Sequence, residues 1–330
     1  MKTLVTGGAG FIGSHLTDLL LKEGHSVVVL DNFRTGRLEN LKTAQEQTLP
    51  GKLQIERFDV ADFEEIEPFF RGIDWVFHIA GLADVVPSIE QPLDYHRANV
   101  QGTVSVLEAA RKHRVARFLY AASSSCYGVP NDYPTGEEAV LQPQHPYALT
   151  KALGESLILH WGKVYRLPVI SLRLFNVYGP RSRTSGAYGA VLGVFLSQLI
   201  HNHPLTIVGD GTQKRDFVFV ADVAKAFLLA AKSRLAGEVF NVGSGNPVSI
   251  NRLAELLRRE KIYLPKRPGE PDITHADIQK IKNQLGWEPR VSIEEGVGIM
   301  LKNLDHWKEA PLWTPEKIAK ATKLWFKYLG

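Results

Sequence analysis

The first thirteen residues restrict the fold most. Lys2–Thr6 is a run of strand formers, and residues 6–13 read TGGAGFIG, with Gly7, Gly10 and Gly13 at GxxGxxG spacing. An apolar pattern of helical period follows over 11–23. Glycine lets a backbone turn sharply and approach a ligand, while a helix start offers unpaired N–H groups and partial positive charge. Strand, glycine turn and helix in that order predict the pyrophosphate-binding unit of a parallel α/β sheet.

The rest of the first half repeats the alternation. Strands are expected at Ser26–Leu30, Leu53–Arg57, Trp75–Ile79, Arg117–Ala122 and Pro168–Arg173, with helices near 62–71, 94–113 and 147–165. The strands lack strict polar alternation, which predicts a sheet covered on both faces. The expected fold is therefore α/β, a Rossmann-type doubly wound parallel sheet. After Arg173 the alternation loosens. Helices are expected near 187–203, 222–233, 251–260, 277–285, 293–307 and 315–328, with one more strand at Glu238–Val242. The chain reads as a Rossmann domain over 1–173, with a return segment near 217–243, and a smaller, mostly helical substrate-binding lobe over 174–330. A cleft between the two is the expected site.

Composition excludes several classes. There are 39 Lys and Arg against 35 Asp and Glu, dispersed without a basic run, so no nucleic-acid arm is expected. No apolar stretch approaches ~18 residues, so no membrane span is expected. Cys126 is the only cysteine, which suits a reducing cytoplasmic setting. His201 and His203 lack companions at ligand spacing, so no metal is expected.

Asp31 ends the second strand, where a carboxylate accepts hydrogen bonds from an adenosine ribose and repels a 2′-phosphate. This favours NAD over NADP; Arg34 and Arg37 are the opposing features. Asp59 holds the equivalent place after the third strand, towards the adenine. In PYALTKALGE, Tyr147 and Lys151 are four residues apart on one helical face. A phenol has a reference pKa of about 10. An adjacent ammonium lowers it and makes the tyrosine a usable base. The serine run Ser123–Ser125 ends a strand of the same half, so these groups can converge on one nicotinamide.

Together the segments TGGAGFIG, DNFRTG, FDVAD, HIAGLA, NVQGT, SSSCYG, PYALTK, RLFNVYG, GDGTQKRDFVFV and FNVGSG resemble the extended short-chain dehydrogenase/reductase superfamily. The chain looks most similar to nucleotide-sugar 4-epimerases of the UDP-glucose and UDP-N-acetylglucosamine type. The resemblance implies Ser123, Tyr147 and Lys151 as the catalytic set. It implies NAD held by Gly7, Gly10, Phe11, Ile12, Gly13, Asp31, Asn32, Asp59, Val60, Ala80 and Asn99, besides Tyr147 and Lys151. For the substrate it implies Ala83, Ser123, Asn176, Ala190, Arg215, Arg267 and Thr274, the two arginines gripping the diphosphate. The implied reaction passes through a transient 4-keto sugar that turns over in the site, with NAD regenerated in each cycle. A homodimer built on the helices near 94–113 and 147–165 is also implied.

Ser124 and Ser125 stand where related 4,6-dehydratases carry an Asp-Glu pair, and a serine hydroxyl cannot do that acid–base work unaided. Small residues at 83, 190 and 274 imply room for a 2-N-acetyl group, hence UDP-GlcNAc/UDP-GalNAc or dual use with UDP-Glc/UDP-Gal. Phe219 departs from the family's usual tyrosine or histidine. The rival readings are another nucleotide-sugar redox step, such as 4-keto reduction, and a non-catalytic NAD-binding protein.

Overall fold

The structure, a computed structural model, describes residues 1–47, 49–184 and 190–329. Seven strands form the main sheet: β1 (Lys2–Thr6), β2 (Ser26–Leu30), β3 (Leu53–Glu56), β4 (Trp75–His78), β5 (Arg117–Ser123), β6 (Val169–Leu174) and β7 (Glu238–Val242). Their order is β7-β6-β5-β4-β1-β2-β3, and every neighbouring pair is parallel. The order reverses between β4 and β1, the crevice where such sheets bind ligands beyond their strand C-termini.

The central strands are largely buried because both faces of the sheet are covered. Val27 and Val29 of β2 enter one core cluster, and Val28 and Leu30 enter the other. Four helices complete these layers: α1 (Phe11–Lys22), α2 (Gly102–Lys112), α3 (Pro146–Tyr165) and α4 (Val220–Lys232). Leu16 and Leu20 of α1 pack with Ala224 and Phe227 of α4 on one face. Val106 and Ala110 of α2 pack with Ile158 of α3 on the other. Burying each such side chain contributes roughly 1.5–3 kcal/mol.

The doubly wound expectation holds. The expected 94–113 helix divides into Pro92–His96, a widened π-type turn at Arg97–Gln101, and α2. Asn99 in that turn bonds sideways to the Leu82 backbone, an interaction that periodicity does not reveal. The expected 315–328 helix breaks at Thr322, whose buried hydroxyl donates back to the Ile318 carbonyl at 2.8 Å. Of the expected 187–203 helix, residues 187–189 lie outside the described residues; the helix runs over Val191–Ile200. Beyond Arg173 the chain also forms three strand pairs that its sequence pattern did not announce. They are Asn176–Tyr178 with Phe217–Phe219, Lys214–Arg215 with Val248–Ser249, and Leu205–Val208 with Lys261–Leu264.

Candidate active site

The glycine turn between β1 and α1 admits no larger residues at its tightest points. Gly7 has φ 68°, and a Cβ there would stand 2.8 Å from the Ala80 backbone. A Cβ on Gly13 would stand 2.1 Å from the Gly7 carbonyl oxygen. The backbone thus forms an open cradle at the start of a helix, suited to a pyrophosphate. It opens into a cleft of about 300 Å³ whose walls include Gly7, Gly10, Phe11, Ile12, Gly13, Asp31, Asn32, Asp59, Val60 and Ala80.

Asp31 is buried at the end of β2. Its carboxylate accepts the Ala9 N–H at 3.0 Å and the Phe33 N–H at 2.8 Å. Burial raises its pKa, opposed by those two N–H groups. Asn32 donates to Asp59 at 3.2 Å, so these two polar groups meet at one end of the cleft. Arg34 is engaged by Asp94 at 2.6 Å, and Arg37 reaches Thr184 at 2.7 Å. A buried carboxylate at this place fits the free ribose hydroxyls of NAD and repels the 2′-phosphate of NADP.

Ser123 ends β5, and its hydroxyl lies 2.8 Å from that of Ser125 and accepts the Ser125 N–H at 3.2 Å. Tyr147 occupies the first turn of α3. The helix starts there because His145 caps it, its Nδ1 accepting the Ala148 N–H at 3.2 Å, and Pro146 follows. Burial lowers the His145 pKa to about 4, so the ring is neutral and able to accept. The His145 and Tyr147 rings stack with centroids 5.9 Å apart. Burial pushes the Tyr147 phenol up to about 12, and the hydroxyls of Ser123 and Ser125 pull the other way.

One helical turn on, the Lys151 ammonium donates to the Ala121 carbonyl at 2.9 Å and lies 5.1 Å from the Tyr120 ring centroid. Burial lowers its pKa to about 8. A Cβ on Gly81 would come within 3.3 Å of this ammonium, so Gly81 leaves it room beside the cofactor cleft. Cys126 is buried against the Ala148 carbonyl, and burial raises its thiol to about 12, which leaves it unreactive.

Asn99 is not part of the cleft wall. Its amide accepts the Leu82 N–H at 2.8 Å and donates to the Leu82 carbonyl at 3.0 Å and the Thr150 hydroxyl at 2.9 Å. It therefore braces the segment that does line the cleft. A buried relay extends from it. The Thr103 hydroxyl donates to the Asn99 carbonyl at 2.6 Å, so it accepts from His78 Nε2 at 2.9 Å. His78 Nδ1 is then the acceptor of the Thr6 hydroxyl at 2.8 Å. Thr150 donates in turn to the Tyr147 carbonyl at 2.8 Å. The glycine-loop strand and the catalytic helix are thus locked together.

A second cavity, of about 480 Å³, adjoins the first and shares Phe11, Ala83, Asp84 and Arg183 with it. Asn176, Ala190, Arg215 and Arg267 line it. Glu270 lies between the two arginines, 3.9 Å from Arg215 and 3.6 Å from Arg267. Thr274 lies behind this wall. Its hydroxyl donates to Asn176 Oδ1 at 2.9 Å and accepts the Asp216 N–H at 3.0 Å. It orients Asn176 and does not set the size of the cavity. Phe219 also points elsewhere, packing edge-on to Tyr178 with centroids 5.4 Å apart.

Sequence reasoning missed three contributors. Ser125 was read only for the acid it replaces, yet its hydroxyl joins Ser123 and Tyr147. Arg183, paired with Asp84, stands where the two cavities meet. Trp325 belongs to none of the sequence motifs, yet it borders the second cavity. Only a three-dimensional neighbour reveals the last two. Among the described residues no cluster of three potential metal ligands occurs, and no helix is long and apolar enough to cross a membrane.

A dinucleotide cradle at a parallel-sheet switch point, adjoining an arginine-lined cavity, with Ser123 and Tyr147 meeting at the end of β5, defines a nicotinamide-dependent class of enzyme. The model of the NAD dependent epimerase/dehydratase family matches residues 3–243, and the chain belongs to that family. It is similar to the UDP-glucose 4-epimerase of Mycolicibacterium smegmatis, 36% identical over 90% of this chain and 96% of that one. Among solved structures it is similar to the UDP-N-acetylglucosamine 4-epimerase of Methanobrevibacter ruminantium in complex with UDP-N-acetylmuramic acid. There the TM-score is 0.84 at 33% identity, covering 92% of this chain and 98% of that one. It is also similar to the UDP-glucuronic acid 4-epimerase of Bacillus cereus in complex with UDP-glucuronic acid and NAD. There the TM-score is 0.85 at 32% identity, covering 94% of this chain and 99% of that one.

Proposed function

We propose that the chain is an NAD-dependent 4-epimerase of UDP-hexoses. The observation that carries this reading is the Ser123/Tyr147/Lys151 cluster beside Gly81, with hydroxyls and no carboxylate in the Ser123–Ser125 turn. Bound NAD supplies the hydride acceptor and donor. Tyr147 as phenolate takes the proton of the sugar 4-hydroxyl, and Ser123 hydrogen-bonds the same oxygen. The Lys151 ammonium favours the phenolate. Arg215 and Arg267 hold the diphosphate while the 4-keto sugar turns, and Tyr147 returns its proton to the 4-oxygen as C4 regains hydride on its opposite face. With no acid pair to eliminate water, the site has redox at one carbon as its simplest use.

The sugar that fits best carries a 2-N-acetyl group, as UDP-GlcNAc/UDP-GalNAc, with UDP-Glc/UDP-Gal as further substrates. Ala83 and Ala190 in the cavity wall support this; Thr274, set behind the wall, lends nothing to it. A second reading, UDP-glucuronate, rests on Arg183, which stands where the two cavities meet and would exchange its Asp84 partner for the sugar carboxylate. The Bacillus cereus neighbour acts on that sugar. Incubation of purified protein with each UDP-sugar, with no cofactor added, distinguishes them. The expected result is the C4 epimer of UDP-GlcNAc and NAD in the protein as isolated. Conversion of UDP-glucuronate alone favours the second reading. Dependence on added reduced cofactor, with its consumption, contradicts both and points to a ketoreductase.

The same reading includes a homodimer through the outer faces of α2 and α3. Leu149, Leu153, Val164 and Tyr165 are exposed along α3, an apolar stripe that a lone chain leaves in water. Light scattering is expected to give twice the 36.8 kDa chain mass, and Leu149→Glu with Leu153→Glu to give the single mass. A wild-type protein at the single mass contradicts the dimer.

A further inference from the structure

The C-terminal segment walls the substrate cavity from a side that the glycine turn and the sheet do not reach. Trp325, on the helix Lys323–Leu329, is 5% exposed and borders the cavity. Its ring faces the Arg267 guanidinium at 5.2 Å. Its indole N–H donates to the Pro268 carbonyl at 2.7 Å, which fixes the ring against the loop carrying Arg267. The His145 ring lies 6.4 Å from it, and His145 both caps α3 and stacks on Tyr147. Arg267, Trp325, His145 and Tyr147 therefore form one continuous row from the diphosphate end of the cavity to the reacting group.

An indole face is the best aromatic platform for a guanidinium, and stacking on that face does not use the guanidinium's in-plane N–H donors. We propose that Trp325 is a positioning residue for the nucleotide: it holds the Arg267 plane and ties that grip to the start of the catalytic helix. The proposal rests on the UDP-hexose reading for the ligand, so UDP itself is the probe and turnover is measured separately. A residue that merely filled the core would lose stability in step with the volume removed and leave UDP affinity unchanged. A π platform would not leave that affinity unchanged.

The test titrates UDP by calorimetry into wild-type protein, Trp325→Phe and Trp325→Leu, each carrying its NAD. UDP binding is expected to weaken about tenfold in Trp325→Leu and about threefold or less in Trp325→Phe. KM for the UDP-sugar should rise in parallel, with a smaller fall in kcat and unchanged NAD content. Equal UDP affinity in Trp325→Leu and wild type overturns the proposal, as does equal weakening in both variants. If Trp325→Leu fails to fold, quenching of tryptophan emission by UDP decides: it should be smaller in Trp325→Phe than in wild type, and equal quenching overturns the proposal. UDP binding that depends on Trp325 without turnover of any UDP-sugar would leave this inference standing and contradict the epimerase reading.

Discussion

Tyr147→Phe is expected to lower turnover by about 10³–10⁴-fold while NAD content and UDP binding stay unchanged, the upper part of the range for loss of a general acid–base group. The substitution removes one oxygen and keeps the ring, so the stacking with His145 and the edge contact with Tyr95 survive. No other base stands in the Ser123–Ser125 turn. The size of the effect follows from how the site treats the phenol. With its pKa pushed up to about 12, the Tyr147 phenol is about one ten-thousandth ionised at pH 8 in the protein alone. The Ser123 and Ser125 hydroxyls favour the phenolate, and the cationic ring of bound NAD would add to that. Burial brings Lys151 down to about 8, so its proton is held below that pH and lost above it. Activity is therefore expected to fall as pH rises through about 8, where Lys151 loses its proton. Steady-state assays across pH read that limb. Residual activity within tenfold of wild type in Tyr147→Phe would contradict the assignment.

Glu155→Ala is expected to cost about 3–5 kcal/mol of stability, because it strands a buried guanidinium. Glu155 lies on α3, one turn after Lys151, and its carboxylate pairs with Arg173 of β6 at 2.6 Å. Both side chains are almost fully buried. Ser171 donates to the same carboxylate at 2.7 Å, and Arg173 also donates to Tyr127 and to the Glu137 carbonyl, each at 2.8 Å. The pair thus fastens the catalytic helix to the sheet. Its net worth against an apolar pair is small, since both charges lose their hydration. Glu155→Leu with Arg173→Met is accordingly expected to regain most of the loss. Chemical denaturation measures both; a loss below about 1 kcal/mol in Glu155→Ala would show that the pair does not anchor α3.

Much of this was legible in the sequence because it is local. Strand, glycine turn and helix are contiguous, so residues 2–23 announced the cradle. Tyr147 and Lys151 share a helical face by spacing alone. The losses came where distant segments meet. Thr274 was assigned to the sugar pocket by its distance from Arg267, but its hydroxyl is drawn back to Asn176 and the Asp216 N–H. Asn99 was assigned to the cofactor, but its amide is used up on Leu82 and Thr150. Trp325 carries no local signal, since a tryptophan in an amphipathic tail reads as core. Its place beside Arg267 depends on the tail crossing back over the cavity.

The central claim is that inversion occurs by removal and return of the same hydrogen at the sugar C4. It is tested most directly by incubating the protein, with no added cofactor, with a UDP-hexose deuterated at that carbon, and examining the epimer by mass spectrometry and NMR. The account predicts that the epimer keeps its deuterium at C4 and takes none from solvent. Loss of that deuterium to water, or a product with an altered C5 or C6, would contradict it.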